Sequence, residues 1–130
     1  MTAVVIGIGF RSAAPASSII DVIETARRAA TPHQLSALAT AADKADHSGL
    51  REASTATALP VLLVETAALE QAAARITTSS AVVAHHRGVG SVCEAAALAA
   101  AGPTARLIVS RLISQDRLAT AAVAIEEPLA

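Results

Sequence analysis

Ala3-Val4-Val5-Ile6-Gly7-Ile8 is an unbroken apolar run with no polar residue on either alternate face. A strand that meets water on one side alternates. A strand covered on both sides does not, and such strands belong to the parallel sheets of α/β folds. The run therefore predicts a central or nearly central first strand, ended by Gly7 and Gly9. A loop over residues 10–16 follows, containing Pro15. Ser17 or Ser18 can then cap a helix. Its apolar face is Ile19, Ile20, Val22, Ile23 and Ala26, with Asp21, Glu24, Arg27 and Arg28 mainly elsewhere.

The rest of the chain extends this alternation. After Thr31-Pro32, residues 35–40 read as a second strand, 43–49 as a polar loop or helix start, and 50–58 as a helix. Pro60 opens a strand over 61–64, a helix covers 65–75, and 77–84 read as a short strand. A tight loop, Gly88-Val89-Gly90, precedes a helix over 91–101 that Gly102-Pro103 closes. Strands follow at 106–110 and 120–125, with a polar, hairpin-like excursion between them, and residues 126–130 form a tail. The expected architecture is α/β. It is a single three-layer domain over residues 1–130, with a mostly parallel sheet of about five strands and helices on both faces.

Composition narrows the function. Hydrophobic residues are 53% and charged residues 16%, enough apolar material for a core in a chain of 130 residues. Phe10 is the one aromatic residue, so there is no stacking platform for single-stranded nucleic acid. Ten basic and eleven acidic residues give a net charge of −1, which argues against a general polyanion binder. Nine of the basic residues are arginine; Lys44 is the one lysine, a hint that an ammonium is wanted there. Cys93 is the one cysteine, so an intrachain disulfide is excluded, and it reads as a small core residue. The apolar runs fall short of the roughly 20 residues that cross a bilayer. No basic leader precedes Val4, so the expected compartment is the cytoplasm.

Ligands of parallel sheets bind beyond the carboxyl ends of the strands. That rule gathers Gly9-Phe10-Arg11 after the first strand, Asp43-Lys44 after the second, and Arg111 after a late strand. The loop Gly88-Val89-Gly90-Ser91 joins them, ahead of a helix. Free amides at a helix start favour anions. Ser91 and Glu94 also have the spacing of a capping box, so a plain capped helix explains that stretch equally well. Gly7-x-Gly9 lacks the third glycine of a dinucleotide fingerprint, and no Walker loop, serine elbow or metal-ligand spacing is present. No cofactor and no metal are expected. Glu94, Asp43 and His86 are the candidates for acid/base work.

The order of these pieces resembles the family formed by CobE and the C-terminal domain of CbiG, proteins of cobalamin (vitamin B12) biosynthesis. Gly7-Ile8-Gly9-Phe10-Arg11 is similar to the family's opening strand and Gly-x-Gly-x-Arg turn. The segment Leu38-Ala39-Thr40, followed by Lys44 and Leu50, is similar to its second segment, and Leu59-Pro60-Val61 to its third-strand entry. The stretch from Gly88-Val89-Gly90-Ser91 through Cys93-Glu94 to Leu98 matches its most characteristic part. Arg111 and Thr120-Ala121-Ala122-Val123-Ala124 resemble its end. Two positions depart from the pattern. His47 stands where the family often has an acidic residue three positions after the lysine, and Arg111 where it often has lysine.

The resemblance implies a precorrin or related corrinoid as ligand, and CobE of the oxygen-dependent branch as the nearest type. Three roles are open on that basis. One is a protein that binds and hands on an unstable intermediate. Another is a hydrolase or isomerase related to CbiG, which opens a lactone ring on a cobalt-containing intermediate. The third is a module that docks on a methyltransferase or other enzyme of the pathway. Binding is favoured, because no nucleophile–base pair is visible. Neither a nucleic acid nor a membrane is an expected partner.

Overall fold

The computed structural model describes residues 3–76 and 92–126. Five strands form one sheet: β1 (Val4–Phe10), β2 (Ala37–Ala41), β3 (Val61–Val64), β4 (Arg106–Ile113) and β5 (Ala119–Ile125), in the order β3-β2-β1-β5-β4. The described helices are α1 (Ala16–Ala30), α2 (Ser48–Thr57), α3 (Thr66–Ile76) and α4 (Val92–Ala101), with a 3-10 turn at Ala42–Lys44. The expected strand over residues 77–84 lies outside the described residues, as do His86 and the loop Gly88-Val89-Gly90-Ser91.

The apolar run is central because it is covered twice. Val4, Ile6 and Ile8 join Ile19, Val22, Ile23 and Ala26 of α1, with Leu50 and Ala53 of α2 in the same cluster. On the other face Val5 joins Ala72 and Ile76 of α3 and Ala95 to Leu98 of α4. Helix α4, Val-Cys-Glu-Ala-Ala-Ala-Leu-Ala-Ala-Ala, is apolar nearly all round and buries most of its length, as such a helix must. Its alanines let it lie close to the sheet. Arg75 of α3 ties down its far end, donating from Nη1 to Gly102 O (3.2 Å) and Pro103 O (3.0 Å) and from Nη2 to Leu98 O (3.2 Å).

The α/β class, the five strands, the helices on both faces and the central β1 agree with the sequence. The direction of the strands differs in part. β1–β2 and β2–β3 are parallel, but β1–β5 and β4–β5 are antiparallel, so the sheet is mixed. Ser114 to Leu118 is too short for a crossover, and β4 and β5 have to pair as a hairpin. The first strand also runs through both glycines to Phe10, because β5 pairs with it along its whole length, from Val4↔Ile125 to Phe10↔Ala119. At Gly7 the reason for glycine is space. A Cβ there would sit 1.9 Å from Cys93 O and 2.6 Å from Ala97 N, in the backbone of α4.

Candidate functional site

The carboxyl ends of β1, β2 and β4 and the starts of β5 and α4 surround a cleft of about 560 Å³. The position obeys the rule for open α/β sheets that ligands bind beyond the carboxyl ends of the strands. Of the residues singled out from the sequence, Gly9, Phe10, Arg11, Asp43, Lys44 and Arg111 line it. Glu94 does not. Its carboxylate accepts the Arg111 backbone N–H at 3.3 Å, which ties α4 to the edge strand β4.

Each cation is positioned by a different element. Arg11 follows the last residue of β1, and its backbone N–H donates to Leu118 O at 3.0 Å. Lys44 ends the 3-10 turn after β2. Its Nζ lies 5.4 Å from the centroid of the Phe10 ring. Arg111 belongs to β4, beside a register shift between Val109 and Leu112. Arg117, which the sequence reading did not single out, reaches the same cleft from the turn between β4 and β5. None of the four makes an ion pair with a described residue. Asp43 is the one carboxylate among the lining residues. Lys44 has Asp43 and Asp46 close by in the chain, yet it forms an ion pair with neither. Its neighbour is instead an aromatic face, which attracts a cation without neutralising it.

Phe10 is half-buried and holds the cleft floor together. The His47 ring lies against it at 4.5 Å between centroids, tilted by 55°. His47 is the N-cap of α2: its Nδ1 accepts the Leu50 N–H at 3.2 Å, and its Nε2 lies 3.0 Å from Ser12 O. Those partners assign the neutral ring with the proton on Nε2. Aspartate is a preferred residue at an N-cap. His47 performs that structural task in this chain. Thr40 Oγ1 donates to Ile8 O at 2.8 Å, and Thr120 Oγ1 to Gly9 O at 3.3 Å, so both walls fix the end of β1.

The turn carrying Arg117 is anchored from several sides. Asp116 accepts from the hydroxyls of Ser114 and Ser18 and from the Leu118 N–H. These bonds, with that from Ser114 foremost, pull its carboxyl below the usual range. Asp21 Oδ2 of α1 accepts the Gln115 N–H at 3.1 Å. Cys93 sits behind the cleft with no exposed surface. Burial pushes its thiol up to about 11, so it is a packing group and not a nucleophile. Among the described residues no group of three potential metal ligands exists, and no helix is long and apolar enough to cross a membrane.

The cleft therefore offers four cations that form no ion pair among the described residues, beside one carboxylate, Asp43, and the partly apolar surface of Phe10, Ile113 and Leu118. Such a site takes an anionic ligand with an apolar body. The family model described as cobalamin synthesis G C-terminus matches residues 4–124. The CobE protein of a Sinorhizobium species is 34% identical over 122 residues, covering 92% of this chain and 78% of that protein. The crystal structure of the cobalamin biosynthesis protein chiG from Agrobacterium tumefaciens superposes with a TM-score of 0.74 at 40% identity. It covers 96% of this chain and 99% of that one. A crystal structure of CobE, from the vitamin B12 biosynthetic pathway, has a TM-score of 0.79 at 30% identity, covering 99% and 94%.

Proposed function

Since this chain belongs to the cobalamin synthesis G C-terminal family of cobalamin biosynthesis proteins, we propose that it binds a precorrin, a macrocycle edged with acetate and propionate carboxylates. The observation that carries this is the set of Arg11, Lys44 and Arg111 around one cleft, none of them paired with a described carboxylate. Gly88, Val89, Gly90 and Ser91 belong to the same proposal through their match to the family pattern. Each carboxylate of the ligand would accept charge-assisted hydrogen bonds from a guanidinium or ammonium. Phe10, Ile113 and Leu118 would lie against the ring.

The proposed setting is the cytoplasm and the oxygen-dependent branch of the pathway, as the likeness to CobE suggests. The protein would hold and present an intermediate. Within the described cleft, Asp43 is the one carboxylate available for acid/base work, beside the Lys44 amine and the hydroxyls of Thr40 and Thr120. The test is to mix the purified protein with early-pathway precorrins. Co-elution of the ring absorption with the protein, at unchanged ligand mass, is the expected result. A changed mass would make the protein an enzyme, and free passage of every precorrin would overturn the proposal.

A further inference from the structure

Two non-glycine residues among those described hold left-handed backbone: Ala58, with φ 60°, and Arg117, with φ 65°. Ala58 follows α2 and supplies the left-handed turn with which many helices end. It does not line the cleft. Arg117 stands in a different setting. Its N–H donates to Ser114 O at 2.9 Å, closing a turn, and the Ser114 N–H then donates to Ala119 O at 2.9 Å. This is a four-residue hairpin loop built around a tight turn, and a left-handed position inside such a loop is one that glycine fills without steric cost. A side chain there crowds the neighbouring carbonyl. Such a residue persists where its surroundings over-determine it. The bonds of Asp116 to Ser18, Ser114 and Leu118, and of Asp21 to Gln115, do so here.

The strained position thus carries a long cationic side chain that meets no described partner and lines the cleft. We infer that Arg117 is a ligand-binding residue, and that the braced turn exists to hold its guanidinium against a carboxylate on the far edge of the ligand from Lys44. The inference rests on the function proposed above and adds a selection rule. Lys44 follows β2, whereas Arg111 and Arg117 belong to β4 and its turn. The order β2-β1-β5-β4 puts three inter-strand spacings between Lys44 and Arg111, and between two and three between Lys44 and Arg117 in the β4–β5 turn, on the order of 10–14 Å. A small anion reaches one side. A rigid ring with carboxylates on opposite edges reaches both.

Cobyrinic acid, a corrinoid polycarboxylate, is the probe, followed by ring absorption and calorimetry. Arg117→Gly removes the guanidinium while suiting the backbone. Ala58→Gly relieves the same conformation away from the cleft, and Arg117→Lys keeps a charge. Both glycine variants should hold or raise the thermal midpoint. Arg117→Gly alone should lose affinity, by roughly tenfold or more, the loss of one charge-assisted hydrogen bond. Arg117→Lys should recover part of it. Unchanged affinity in Arg117→Gly overturns the inference and leaves the proposed function standing. An affinity loss that comes with a lower midpoint assigns Arg117 to the fold and also overturns it. Failure of the unaltered protein to bind cobyrinic acid overturns both.

Discussion

Replacing Gly7 by alanine should unseat α4. The new Cβ would lie 1.9 Å from Cys93 O, 2.6 Å from Ala97 N and 2.9 Å from Cys93 C. All three atoms are helix backbone, so no change of rotamer relieves the clash. Ordinary contact is about 3.5 Å, which asks α4 to lift by roughly 1.5 Å. A gap of that size forfeits half or more of the dispersion contact that Ala95, Ala96, Ala97 and Leu98 make with the sheet. Overpacking of a core costs about 1–3 kcal/mol and occasionally more, and a backbone-to-backbone clash belongs at the top, about 3 kcal/mol. At roughly 0.05–0.15 kcal/mol per residue, a chain this long holds on the order of 6–20 kcal/mol in total. The loss is therefore a large fraction of the stability, visible as a displaced midpoint in urea unfolding followed by circular dichroism. Gly9→Ala is the contrast. Its Cβ would meet the Thr120 hydroxyl at 2.9 Å, a side chain that can turn, and otherwise only contacts of 3.7 and 3.8 Å. It should cost less than about 1.5 kcal/mol. A Gly7→Ala protein within about 1 kcal/mol of the parent would refute the close seating of α4 on β1, since overpacking of this kind cannot be that cheap.

Three other outcomes follow from the site. Lys44→Ala should leave stability nearly unchanged while corrinoid affinity falls by about 1.5–3 kcal/mol. Lys44→Arg should restore only part of it, because a planar fork replaces a compact ammonium; titration of the two variants decides. His47→Ala should lower stability by about 1 kcal/mol through loss of the α2 cap, whereas His47→Asp should keep most of it, which chemical denaturation would measure. Burial pushes the Cys93 thiol up to about 11. At pH 8 it should be inert to a disulfide reagent such as DTNB until denaturant exposes it, and prompt reaction of the native protein would contradict its burial.

Legibility in the sequence followed the strength of the physical signal. The run 3–8 is apolar on both alternate faces, and that alone made β1 central. The glycines were harder. Gly7 looks the same whether it ends a strand or admits a helix, because what decides is the backbone of Cys93 and Ala97, far away in the chain. The mixed sheet was within reach, since Ser114 to Leu118 cannot hold a crossover. Following that hairpin through would also have returned Arg117 to the side of Arg111. The cleft's Arg11, Lys44 and Arg111 were legible from strand ends. His47 as a cap was not, because histidine carries little N-cap preference and its partners, Leu50 N–H and Ser12 O, come from two segments.

The most direct test of the charge-led cleft is the affinity for cobyrinic acid at low and high salt, beside that for its uncharged methyl ester. The net charge of the chain is −1, so any strong salt dependence has to come from the local cations. Screening shortens from about 10 Å at 0.1 M to about 3 Å at 1 M ionic strength. Affinity for the acid should fall steeply across that range, and the ester should bind weakly at both ends. Equal affinity for the acid at low and high salt, or an ester that binds as tightly as the acid, would contradict recognition by Arg11, Lys44, Arg111 and Arg117.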